Sequence, residues 1–178
     1  MRAIVVNESM YGNTRQVAET IARGIDPAGN VPSLPVSKTN GINPAELDLL
    51  IVGGPTHAHG VSRESTRNAA RATGSAGDLS LEPDSAGMGI HDWLTSFSGV
   101  EGRAAAFGTR FDAAALLTGR ASRGISRLLR ASGFELAVES ESFLVDKATH
   151  LLAGEEHRAR EWGARLGAIP PEELGSGE

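Results

Sequence analysis

The sequence predicts an α/β domain, a parallel sheet covered by helices on both faces. Short apolar runs of strand length recur along the chain without the polar alternation of a strand that has one wet face. Segments with a 3.6-residue apolar period separate them, so strand and helix alternate. At 178 residues the chain is about one domain long and can bury roughly 70% of its unfolded surface without covalent staples.

The first run, residues 3–6, is Ala-Ile-Val-Val, followed by polar residues and Gly12. Over residues 14–25, Val17, Ala18, Ile21 and Ile25 form a helical stripe while Arg15, Glu19 and Arg23 turn away from it. Residues 31–37 contain Pro32 and Pro35, which restricts them to an edge strand, because proline donates nothing to a ladder. Asn43-Pro44 reads as an N-cap followed by Pro at the first position of a short helical turn. Residues 47–52 form a second buried strand, expected to stop at Gly53-Gly54-Pro55. Ile90, Trp93, Leu94 and Phe97 repeat at i, i+3, i+4 and i+7, a helix with its aromatic face inward. Residues 103–107 are a third buried strand, closed by Gly108. A helix over 121–131 follows, then two strand pieces at 134–138 and 143–145 with a polar break between them. The last helix carries Ala159, Trp162, Gly163 and Leu166 on one side, and both tryptophans are assigned to the core. Pro170-Pro171 ends it, so the expected domain is 1–168 and the expected disordered tail 169–178. Residues 62–86 are too poor in large apolar side chains to own a core.

With no cysteine, the chain has no disulfides, no thiol catalysis and no thiolate metal site, so any redox chemistry comes from a bound cofactor. Seventeen basic residues against 22 acidic ones give a net charge of −5, which is no footprint for nucleic acid. No apolar run approaches the roughly 18 residues of a membrane span, and the first residues hold no signal-peptide core. The expectation is a soluble, cytoplasmic protein that engages neither nucleic acid nor membrane. No Gly-x-Gly-x-x-Gly follows the first strand, no Gly-Lys-Ser/Thr occurs, and no nucleophile elbow supports a hydrolase.

In an open α/β sheet, ligands sit beyond the carboxyl ends of the strands at the topological switch point. Three loops occupy such ends, at 8–14, 54–60 and 108–112. In the first, Ser9, Met10, Tyr11, Gly12, Asn13 and Thr14 bring three hydroxyls, an amide and a glycine directly into a helix. Backbone N–H groups there, with the Ser9 and Thr14 hydroxyls, can surround a phosphate with no lysine. A nucleotide monophosphate fits such a nest, and a capped turn with no ligand fits the same residues.

The strand at residues 4–7 running into Ser9, Gly12, Thr14 and Ala18 resembles the amino-terminal FMN-phosphate signature of the flavodoxin family. The buried strand entering Gly53-Gly54-Pro55-Thr56 is similar to the family's second flavin loop, and Ala106-Phe107-Gly108-Thr109 to its third. The resemblance spans residues 1–167 and is greatest to stand-alone flavodoxin-domain proteins with a Gly-Gly-Pro-Thr-His loop. It implies a flavodoxin-like three-layer sandwich with a five-stranded parallel sheet in the order 2-1-3-4-5. It also implies FMN, its phosphate on Ser9 to Thr14. The ring would lie between Pro55, Thr56, His57, Ala58, His59 and Gly60 on one side and Gly108, Thr109, Arg110, Phe111 and Asp112 on the other.

Departures from the family pattern refine these expectations. Asn7 stands where an aromatic residue is usual. Where the family stacks Trp or Tyr on each ring face, this chain has His57, His59 and Phe111; losing about 1–2 kcal/mol of stacking weakens FMN binding by about one to two orders of magnitude. His57 and His59 are the candidate catalytic proton donors, with an ordinary pKa of about 6.5. As a His-x-His pair with Asp112 they are alternatively metal ligands, or plain loop residues; no metal is assigned. Arg110 either stabilises the reduced flavin anion, or pairs with Asp112 or is simply solvated. Ala58 occupies a position where Gly often permits a peptide flip, which costs alanine roughly 1 kcal/mol and disfavours one-electron chemistry unless Gly60 takes that part.

Arg120, Arg123, Arg127 and Arg130 fall within an arc of about 80°, either a solvated face or a seat for an acidic partner or dinucleotide phosphate. Residues 62–86 are a candidate cover for the flavin or seat for NADPH. Three functions stay open: an FMN-dependent oxidoreductase passing reducing equivalents from NAD(P)H or a reductase to a small quinone-like acceptor, a one-electron flavodoxin-type carrier, and a flavodoxin-fold binding module that has lost FMN.

Overall fold

The computed structural model describes residues 1–56, 61, 81–113, 119–146 and 148–170. Along the chain it forms β1 (Ala3–Asn7), α1 (Asn13–Ile25), β2 (Ser33–Pro35), β3 (Leu49–Pro55), α2 (Ile90–Thr95), β4 (Arg103–Phe111), α3 (Ala121–Ser132), β5 (Glu135–Leu136), β6 (Glu141–Val145) and α4 (Glu155–Gly167). Every named strand pairing is parallel, in the order β2-β1-β3-β4-β5, with β6 also on β4. This is the expected 2-1-3-4-5 flavodoxin-like sheet, its fifth position shared by two pieces. β5 pairs with Arg103 and Ala104, and β6 with Phe107 to Phe111.

That split position explains two corrections to the strand ends. β4 does not close at Gly108, because β6 carries the ladder on to Phe111. β3 does not stop before Gly53-Gly54-Pro55, because β1 reaches Gly53 on one side and β4 pairs with all three residues on the other.

Successive strand residues point to opposite faces, and the core divides accordingly. Val5, Leu49, Ile51, Ala105 and Phe107 pack with α1 and α4. Val6, Leu50, Val52, Ala104 and Ala106 pack with α2 and α3. Trp162 is 3% exposed and meets Phe107 and Phe143 edge-on at 6.3 and 6.4 Å. Trp93 lies edge-on to Phe97 at 5.1 Å. Both tryptophans are core residues, as expected. Beyond residue 168, Ile169 packs on the α1–α4 core, and the Pro170 carbonyl accepts from Arg103 at 2.6 Å. The rest of the expected tail, 171–178, lies outside the described residues.

Candidate functional site

The chain leaves β1 towards β2 and leaves β3 towards β4, in opposite directions across the sheet. The crevice between the carboxyl ends of β1 and β3 is therefore the switch point. The loop that follows β1 stands at its mouth.

Several of the loop's side chains have structural work. Buried Asn7 donates to the Leu34 carbonyl at 3.1 Å and fastens the edge strand β2, which accounts for a polar residue at that position. Buried Glu8 accepts the Ile90 N–H at 2.9 Å and caps α2, whose own N-cap, Gly89, has no side chain to do so. Met10 is almost fully buried, so it can offer a ligand only its backbone. The Ser9 hydroxyl accepts the Gly12 N–H at 3.1 Å, and Asn13 donates to the Thr149 carbonyl.

Gly12 has φ +91°, in the left-handed region where Gly pays no Cβ penalty, and it opens α1 without a side-chain cap. The first intrahelical bond runs from the Gln16 N–H to the Gly12 carbonyl at 2.9 Å. The N–H groups of Asn13, Thr14 and Arg15 therefore lack helical acceptors and emerge at the positive end of the helix dipole. Thr14 shares a buried 2.8 Å hydroxyl bond with Thr109. With Thr109 donating, the Thr14 proton stays available to a ligand. This donor set fits a phosphate.

On the neighbouring strands, Thr56 donates its N–H to the Thr109 carbonyl at 2.8 Å, and its hydroxyl accepts the Ala121 N–H at 3.2 Å. It caps α3 across the chain, a duty that Arg120 at the N-cap does not perform. Thr56→Val is expected to lose about 1 kcal/mol of stability in urea denaturation and Thr56→Ser only a few tenths; equal losses would remove the cap from the account. Gly108 is buried under α3, and a Cβ there would lie 3.0 Å from the Ser122 nitrogen, so it admits the helix. Arg110 donates to the carbonyls of Phe111 (3.1 Å) and Ala113 (2.7 Å), and among the described residues it makes no ion pair with Asp112. Phe111 is 47% exposed, an apolar ring at the sheet's end suited to a flat ligand. Beside it, exposed Asp112 gives its N–H to Val145. Pro55 ends β3 opposite Thr109. His57, Ala58, His59 and Gly60, and the 62–80 part of the candidate cover, lie outside the described residues.

The structure adds two residues that the sequence analysis did not place here. A cleft of about 630 Å³ lies outside the start of α1, lined by Tyr11, Gly12, Asn13, Arg15, Glu82 and His150 among others. The Glu82 N–H donates to the Met10 carbonyl at 2.9 Å, and its carboxylate takes Arg15 in a fork at 3.0 and 3.3 Å. Arg15 also reaches Glu19 at 2.9 Å. The hydrogen bond to Glu82, and after it the one to Glu19, holds the Arg15 guanidinium above its ordinary pKa. Helical side chains lean back towards the N-terminus, so a residue three positions after Gly12 can reach this cleft. That direction was legible for Arg15, whereas nothing in the aperiodic segment around Glu82 announced it.

No protein-family model matches the sequence, and no curated protein does. Among solved structures, a flavodoxin from the domain Archaea superimposes with TM-score 0.58 at 17% identity, over 94% of this chain and 96% of its own. A WrbA-like flavodoxin from Agrobacterium tumefaciens gives 0.53 at 18% identity, over 93% and 94%. The flavodiiron protein from Giardia intestinalis gives 0.59 at 17% identity over 93% of this chain, which matches 35% of that longer one. What these proteins share with the chain is the flavodoxin-like fold.

Proposed function

We propose, from a flavodoxin-like fold with an uncapped helix end at its switch point, that the chain binds FMN as a flavodoxin-type protein. The single observation that carries this reading is the left-handed Gly12 turning the free N–H groups of Asn13, Thr14 and Arg15 outward beside the crevice. A phosphate monoester there gains both the amides and the dipole of a 13-residue helix. The Thr14 hydroxyl supplies a further donor, with Ser9 shaping the turn and Phe111 offering a surface to the ring. Bound FMN would supply hydride and single-electron transfer, chemistry that no side chain of this cysteine-free protein has.

Within that reading the chain is an oxidoreductase passing reducing equivalents from NAD(P)H or a reductase to a small quinone-like acceptor, with His57 and His59 as proton donors. Ala58 supports this over a one-electron carrier, since alanine resists the left-handed geometry of a peptide flip. Glu82 favours a different reading, a binding module without flavin, because its carboxylate stands beside Gly12. FMN titration, followed by the flavin's visible absorbance and fluorescence, decides between them. Saturable one-to-one binding is expected, and NAD(P)H consumption by the loaded protein with a small quinone assigns the oxidoreductase. Bound FMN without turnover assigns the carrier. Failure to bind FMN leaves the module.

A further inference from the structure

The neighbourhood of Gly12 is charged in a way that a plain helix cap does not need. A carbon placed where Gly12 lacks one would lie 3.1 Å from Glu82 Oε1 and 3.8 Å from Arg15 Nη2. An anion and a cation of the chain thus meet beside the three free amides. Glu82 uses the Nε and Nη2 of Arg15, and Glu19 uses Nη1. Resting on the FMN reading, we propose that Arg15 is the side-chain cation for the ligand's phosphate. Glu82 is then an internal anion that holds this partnership until the phosphate takes it.

The exchange is chemically balanced. A phosphate dianion at the helix end offers Arg15 the same planar, two-point acceptor as the carboxylate, with more charge. The Arg15 side chain is about half exposed, so the existing ion pair is weak enough to open. Glu19 keeps its hold on Nη1 and leaves free the two nitrogens that face the mouth. His150 and Tyr11 border the same cleft. The segment carrying Glu82 is anchored without the carboxylate: Glu82 N–H bonds to Met10, and Asp84 holds Ser37 at 3.1 Å and Lys38 at 3.3 Å. Glu82→Gln therefore removes the competing charge and leaves its support in place.

FMN and riboflavin, which differ by the phosphate, are titrated into the full chain and into Glu82→Gln, Arg15→Gln and the double variant. Glu82→Gln is expected to tighten FMN about tenfold and Arg15→Gln to weaken it about tenfold, with riboflavin moving less than about twofold in either. In the Arg15→Gln background, Glu82→Gln should change FMN affinity by less than about threefold, the coupling expected of a shared partner. Equal movement of both flavins, or no movement of FMN, overturns the assignment while leaving FMN binding intact. If neither flavin binds any of the four proteins, the FMN reading falls and this inference with it.

Discussion

Gly163→Ala is expected to destabilise the protein by about 3 kcal/mol, read from urea denaturation. A Cβ at Gly163 would lie 2.3 Å from the Ile21 carbonyl oxygen and 3.0 Å from the Gly24 Cα. The relation is reciprocal, since a Cβ at Gly24 would lie 2.3 Å from the Arg160 carbonyl, and one at Gly167 would lie 2.5 Å from that of Ile25. α1 and α4 thus touch backbone to backbone, and a carbonyl in a helix cannot rotate aside as a side chain can. The helices must separate, which loosens Ile21, Trp162 and Leu166 together. Helix propensity alone predicts the opposite sign, because Ala in a helix interior is favoured over Gly by about 1 kcal/mol. A stabilised variant would therefore show that the close approach does not govern the pair.

This glycine also marks where the sequence was legible and where it was not. Burial on both faces writes itself into composition, so β1, β3 and the Ala-rich start of β4 were visible as apolar runs, and the α2 stripe as a period. Strand ends were misjudged at Gly53, Gly54 and Gly108, because glycine reads locally as a stop signal. Its reason here is distant. A Cβ at Gly53 would lie 1.9 Å from the ring of Phe107, and Gly108 makes room for the start of α3. The partners of the hydroxyls were not legible either. Thr14 and Thr109 bond each other, and Thr56 caps a helix. A side chain's polarity is local information, whereas its partner depends on a fold that brings residues 14 and 109 together. Gly12 was legible as a nest residue, because a loop that must turn into a helix with free amides needs a left-handed position wherever the rest of the chain lies.

Gly12→Ala is expected to weaken FMN about 100-fold, equivalent to about 2.7 kcal/mol. Alanine at φ +91° costs roughly 1–2 kcal/mol, and the same strain applies at Gly41, with φ +83° and no atom within 4 Å of its added Cβ. Gly41→Ala is thus a matched control for backbone strain without a site. Both variants should lose about 1 kcal/mol of folding stability, yet Gly41→Ala should hold FMN within about twofold of the parent. The difference arises because relaxing the strain at Gly12 turns the Asn13 and Thr14 amides away from their shared direction, and the new methyl crowds Glu82. At Gly41 the same relaxation moves nothing that a ligand touches. Equal FMN losses in the two variants would assign the effect to global loosening, and no loss in either would place the phosphate elsewhere on the sheet. Only a loss confined to Gly12 ties the ligand to the helix end that this glycine opens.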